Sequence, residues 1–127
     1  MKKQTIEEST PITCDPHEVS YREIEVAMTA LSGKWKMLVI WKLWEGKMRF
    51  GDLKGSLPGV TQHMLTSTLR DLEREGLVER KAFAEIPPRV EYSLTRHALT
   101  LESALTGLKI WGKSHIQFKQ KILASSA

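Results

Sequence analysis

The residues best equipped for chemistry in this chain lie in "TQHMLTSTLRDLEREGLVER", Thr61 to Arg80. At about 100° per residue in a helix, setting Leu65 toward a core also turns Leu69 and Leu72 inward. His63, Ser67, Arg70 and Arg74 then face directly outward, with Thr66 at the margin and Gln62 near the N-terminal end. No carboxylate stands in that edge, because Asp71, Glu73 and Glu75 lie off to its sides. Gln pairs well with adenine, and Arg with guanine or phosphate. A polar outer face is also what most solvated helices carry, so the helix alone leaves both readings open.

A second candidate is Cys14 in "TCDPH". A thiol reacts when ionised, and a nearby cation lowers its pKa. His17 stands three residues away, while Asp15 opposes ionisation. One cysteine permits no internal disulfide. Its possible outcomes are then a bridge between two copies of the chain, a mixed disulfide with a small thiol, or direct alkylation. An inert cysteine in a polar segment is the plainer alternative. His17, His63, His97 and His115 show no ligand spacing with Cys14, so no metal is expected. The chain has no glycine-rich phosphate loop, no paired carboxylates in a pocket-like context, and no Cys-His or Ser-His arrangement with a third orienting group. An enzyme is not expected, nor is a cofactor.

These residues need a scaffold. The 127 residues suit one domain, and 41% apolar residues supply one core. Lys and Arg number 19 against 15 acids, a formal charge of +4 that leans mildly toward a polyanion. "MKKQTIEEST" has no apolar segment of the kind a signal peptide carries. The most apolar run, "MLVIWKLW", is interrupted by Lys42 and falls far short of the roughly 20 residues that span a bilayer. The expectation is a soluble, cytoplasmic protein with no membrane partner.

Residues 1–18, with Pro11 and Pro16, read as an extended or mobile arm, and residues 19–127 as the domain. From Tyr21, Ile24, Ala27, Met28 and Leu31 mark a short amphipathic helix ended by Gly33. A second helix, from about Lys34 to Glu45, is apolar nearly all round and is expected to be the central buried helix, with Trp35, Trp41 and Trp44 as core. Phe50, Leu53 and Leu57 mark a third, which Pro58 and Gly59 end. Thr61 is a good N-cap for the fourth, and Gly76 sits where a C-terminal glycine belongs. "LVERKAF" and "RVEYSL" alternate as two half-buried strands, with "AEIPP" between them as a hairpin tip.

The last helix runs from about residue 96 to 123. Leu101, Ala104, Leu108, Trp111, His115, Phe118 and Ile122 recur in steps of three and four, a heptad seam. A domain this small has no obvious interior for so long a stripe, which points to a partner helix from a second copy of the chain. The alternative is a seam packed back on its own domain. A short helix, a tight turn and a further helix form a helix-turn-helix, and the hairpin would be its wing. Lys34 and Arg49 then stand at helix entries as phosphate candidates, and Arg80, Lys81 and Arg89 on the wing. Lys81 and Arg89 are favoured, since Arg80 could serve as an ion-pair partner for a glutamate.

Gly33 to Thr95 resembles the HxlR-type winged-helix transcriptional regulators of bacteria, relatives of the MarR type. The resemblance rests on Gly33-Lys34-Trp35, Arg49-Phe50, Leu65-Thr66, Leu72-Glu73, Gly76-Leu77-Val78, Arg80, Pro87-Pro88 with Val90-Glu91-Tyr92, and Leu94-Thr95. Trp111-Gly112 and a lone cysteine ahead of the first helix match as well. The resemblance implies a mainly α fold with a small β-hairpin wing, dimerising through its N- and C-terminal helices. Ile24, Met28, Leu101, Leu108, Trp111, Phe118 and Ile122 would then form the interface. It further implies a sequence-specific regulator of a pseudo-palindromic double-stranded DNA operator, repression being the family's commoner outcome. DNA would meet Lys34, Arg49, Gln62, His63, Thr66, Ser67, Arg70, Arg74, Lys81 and Arg89. Some members sense electrophiles or oxidants through the N-terminal cysteine, here Cys14. The other readings are a regulator answering a small aromatic effector in a dimer-interface pocket, and a winged-helix module that binds protein. His97 stands where the family often has glycine, so the start of the last helix is expected to differ, and the second cysteine of two-cysteine switches is missing.

Overall fold

The computed structural model describes residues 21–126; the N-terminal arm, with Cys14 and His17, lies outside them. The elements run α1 (Arg22–Leu31), α2 (Lys34–Leu43), β1 (Met48–Arg49), α3 (Phe50–Gly55), α4 (Gln62–Arg74), β2 (Val78–Phe83), β3 (Arg89–Leu94), a 3₁₀ turn (Ala98–Leu101) and α5 (Glu102–Ser126). The three strands form one antiparallel sheet in the order β1-β3-β2. β1 was not legible in the sequence. It has two residues, too few for an alternation, and exists because Met48 and Arg49 pair with Tyr92 and Glu91 of β3.

The core gathers Val39, Ile40 and Leu43 from α2, Leu53 from α3, Leu65, Leu69 and Leu72 from α4, and Val78 and Tyr92 from the sheet, with Leu31 at the end of α1 packed half-buried against it. Leu105 is the one residue that α5 buries, and α1 buries none. The expectation that α2 is the central buried helix holds for the side that carries Val39, Ile40 and Leu43 and needs correction on the other. The helix packs on α4 and β3, but Leu38 and Trp41 are 39% and 43% exposed. Their side of the helix faces α5 across an apolar groove of about 380 Å³ walled by Met37, Leu38, Trp41, Leu105 and Leu108. Trp35 and Trp44 pack half-buried against the core.

Two junctions fix α4 relative to the sheet. At its C-terminus Gly76 adopts φ +78°, the left-handed conformation that ends helices. The Leu77 N–H donates to the Leu72 carbonyl at 2.9 Å and the Gly76 N–H to the Glu73 carbonyl at 3.0 Å, the paired bonds of a Schellman motif. Leu77 is thereby driven into the core, and β2 starts at once. The second junction is Thr95. Its hydroxyl donates to the Gly76 carbonyl at 2.7 Å and accepts the Ala98 N–H at 3.1 Å. One side chain thus ties the end of α4 to the start of the C-terminal segment. The last helix differs from expectation at its start. A 3₁₀ turn fills 98–101 and holds Leu101 against the core, so the α-helix begins at Glu102.

Candidate nucleic-acid interface

Helix α4 starts where its sequence predicts. The Thr61 hydroxyl accepts the Met64 N–H at 3.1 Å, meeting one of the free donors that open a helix. Leu65, Leu69 and Leu72 are no more than 1% exposed and Thr68 joins them inside. Burial of that stripe turns Gln62, His63, Ser67, Arg70 and Arg74 to solvent and leaves Thr66 half-buried at the edge. The two arginines differ in availability. Arg74 pairs with Asp71, a carboxylate that also faces the Lys36 Nζ at 4.0 Å. Arg70 has no ion pair, hydrogen bond or ring contact among the described residues.

The wing's register sorts its cations. Val78, Arg80 and Ala82 stand opposite Leu94, Tyr92 and Val90, so these six share one face of the sheet. Val78 and Tyr92 on that face belong to the core, and the Tyr92 ring lies 6.5 Å from that of Phe50. The face is therefore turned toward α3 and α4. Between it and α4 lies an open cleft of about 550 Å³ whose walls include Gln62, Thr66, Arg70, Glu73, Arg80 and Tyr92.

The opposite face carries Lys81, Phe83, Arg89 and Glu91. Here both terminal nitrogens of Arg89 are engaged, while its Nε is buried without a partner among the described residues. Its Nη2 donates to Glu85 at 2.7 Å, its Nη1 to Glu91 at 2.6 Å, and its guanidinium lies 3.7 Å from the centre of the Phe83 ring. The hydrogen bond to Glu85 is foremost in raising its pKa, with the Glu91 carboxylate adding to it. Lys47 approaches Glu91 at 3.7 Å, and Lys81 lies 5.3 Å from the Phe83 ring. Arg89, expected as a phosphate contact, thus links Glu91 of β3 to Glu85 at the hairpin tip.

Lys34 is exposed at the start of α2, with its Nζ 4.7 Å from the Trp35 ring centre. Arg49 is exposed at the entry to α3, opposite Glu91 in the sheet. The apolar candidates for an interface lie elsewhere. Ile24 and Met28 on α1, and Leu108, Trp111, Phe118 and Ile122 on α5, are all exposed. Trp111 stacks on His115 at 4.6 Å, and His115 lies 6.1 Å from Phe118, an aromatic ladder along α5. Leu101 is the exception, since it packs against its own core. Among the described residues no helix is long and apolar enough to cross a membrane, and no group of His, Cys, Asp or Glu could hold a metal.

Two residues were given too little weight from the sequence. Thr95 stands out there only within the Leu94-Thr95 piece of the family resemblance, with no structural role assigned to it. Arg80 was passed over for its neighbours, although alternation had already set it on the face of Val78.

Residues 30–120 match the HxlR-like helix-turn-helix family. An uncharacterized HTH-type transcriptional regulator of Methanothermobacter thermautotrophicus is 46% identical over 92 residues, 72% of this chain and 70% of that protein. The fold is similar to the redox regulator HypR in its reduced form, with TM-score 0.74, 37% identity, and coverage of 78% of this chain and 98% of that one. It is also similar to the reduced form of the transcriptional regulator YodB from Bacillus subtilis, with TM-score 0.65, 29% identity, and coverage of 79% and 91%.

Proposed function

Because the chain belongs to the HxlR-like helix-turn-helix family, and is a DNA-binding transcriptional regulator rather than an enzyme, we propose that it works as a dimeric repressor whose α4 reads its operator. The observation that carries this is the outer edge of α4. Gln62, His63, Thr66, Ser67 and Arg70 stand together on a helix fixed at both ends, and Arg70 has no partner among the described residues to compete with DNA. Near the N-terminal end of a recognition helix, such side chains reach base edges. Arg74, whose exposed surface pair with Asp71 is weak enough to exchange for a phosphate, and Lys34, Arg49 and Lys81, exposed at the start of α2, at the entry to α3 and on the wing, serve backbone phosphates, which position a protein without reading sequence.

The dimer is supported by the apolar side chains that α1 and α5 leave in solvent. A patch of this kind on a small domain marks an interaction surface. Two-fold symmetry then sets two copies of α4 on a pseudo-palindrome with half-sites about one helical turn apart. Cys14, outside the described residues, is the proposed sensor of oxidants or electrophiles. The likeness to HypR, a redox regulator, supports that reading.

The test is footprinting of the upstream region of the chain's own gene. Protection of a pseudo-palindrome at moderate salt is expected, weakened by Arg70→Ala. Equal binding to that segment and to DNA of random sequence would sink the proposal.

A further inference from the structure

The wing carries three cations, and the structure leaves them in unequal states. Arg89 is half-buried, with both terminal nitrogens bound to Glu85 and Glu91 and its guanidinium on the Phe83 ring. Its Nε is buried without a partner among the described residues, and the Lys81 ammonium lies near the Phe83 ring. Both belong to the face of the sheet turned away from α4. Arg80 is on the other face and lines the cleft that α4 and the sheet enclose, together with Arg70, Gln62 and Thr66. It is exposed and makes no ion pair, hydrogen bond or ring contact among the described residues. Glu73 lines the same cleft, yet no ion pair forms between the two. A structural role as a glutamate's partner therefore has no support in the geometry.

We infer that Arg80 is the wing's principal DNA contact, and that with Arg70 it receives a backbone phosphate in the cleft between α4 and the sheet. The inference rests on the regulator reading and deepens it. An exposed guanidinium with no competing carboxylate bond keeps its fork free for phosphate oxygens, and bidentate Arg–phosphate pairs are among the stronger charge-assisted hydrogen bonds. Two such groups on one cleft wall and the next make it a phosphate seat. Gln62 and Thr66 in the same cleft place that seat beside the side chains proposed to read bases. Glu73 opposes an anion there, so its carboxylate sets a limit on the seat's affinity. Arg89 contributes by keeping the wing folded, not by meeting DNA.

The test compares Arg80→Ala, Arg80→Lys and Arg89→Ala on a labelled duplex covering the footprinted upstream segment and on a mixed-sequence duplex. Affinity is followed as salt is raised. Each phosphate contact contributes about 0.9 to the slope of log affinity against log salt. Arg80→Ala should lower that slope by about 0.9 for each copy of the chain on the duplex, and weaken both duplexes alike. Arg80→Lys should keep most of the slope, because the charge remains. Arg89→Ala should leave the slope as it was while lowering the melting temperature. A normal slope for Arg80→Ala, or a drop for Arg89→Ala in protein that is still folded, overturns the inference. Wild-type protein that binds neither duplex overturns the regulator reading beneath it. Glu73→Gln offers an independent check, since tighter binding to both duplexes is expected and unchanged binding counts against a phosphate in the cleft.

Discussion

Replacing Thr95 by valine removes one hydroxyl and keeps the side chain's volume. Two hydrogen bonds go with it: the 2.7 Å bond to the Gly76 carbonyl and the 3.1 Å bond from the Ala98 N–H. The first partner is open to water, which restores most of what is lost, so this bond contributes about 0.5 kcal/mol. The second is half-buried, next to an Ala98 side chain sealed in the core. Leaving a buried donor unmet costs about 1–3 kcal/mol, and about 1.5 kcal/mol suits a partly buried group. The expected total is about 2 kcal/mol. In a domain of this size that corresponds to a fall of about 6–10 °C in melting temperature. Urea unfolding at one fixed protein concentration gives the free energy directly, and the fixed concentration matters because association adds to apparent stability. Thr95→Ser, which keeps the hydroxyl, should cost less than half as much. A loss below about 0.5 kcal/mol for the valine variant, or equal losses for the two variants, refutes the account of Thr95 as the clasp between α4 and the C-terminal segment.

Two further outcomes bear on assembly and switching. Trp111→Glu sets a carboxylate in the middle of the exposed seam of α5, so a species that sediments as a dimer should become a monomer, while an unchanged dimer would move the interface elsewhere. Cys14→Ser should leave DNA binding of the reduced protein near normal and abolish the response to a quinone or peroxide. A variant that still responds fully points to a small-molecule pocket in place of the thiol.

What the sequence disclosed, and what it withheld, follows from the range of the forces involved. Helix α4 was readable to within a residue because everything that defines it is local: Thr61 caps it, the leucines fix its inward side, and Gly76 ends it. The two wing strands were readable from alternation for the same reason. β1 was not, since two residues carry no pattern and their extended state is imposed by β3. Helix α2 misled because composition reports how much of a helix is apolar, not what covers it. Leu38 and Trp41 look like core in the sequence, but they are left partly exposed on a groove shared with α5. The same limit applies to α5. Its seam was plain as a pattern, yet the 3₁₀ turn over 98–101 takes Leu101 out of it, and that turn depends on a hydroxyl three residues before Ala98.

The wing shows the deepest form of this limit. Alternation divides Arg80 from Lys81, and Arg89 from Val90, but it cannot say which side of the sheet is turned toward α4. That is decided by long-range packing: Tyr92 meets Phe50, and Val78 follows Leu77 into the core. Once that side is fixed, the cations part company. Arg80 is carried into the cleft beside Arg70, and Arg89 is carried to the face where Glu91 stands beside it and Glu85 reaches across the hairpin tip. Residue type alone ranks the two arginines equally, and their availability to a phosphate is set by whether a carboxylate is already within hydrogen-bond reach. Charge on the wing is therefore a poor guide to contact with DNA unless each cation's internal partners are counted first.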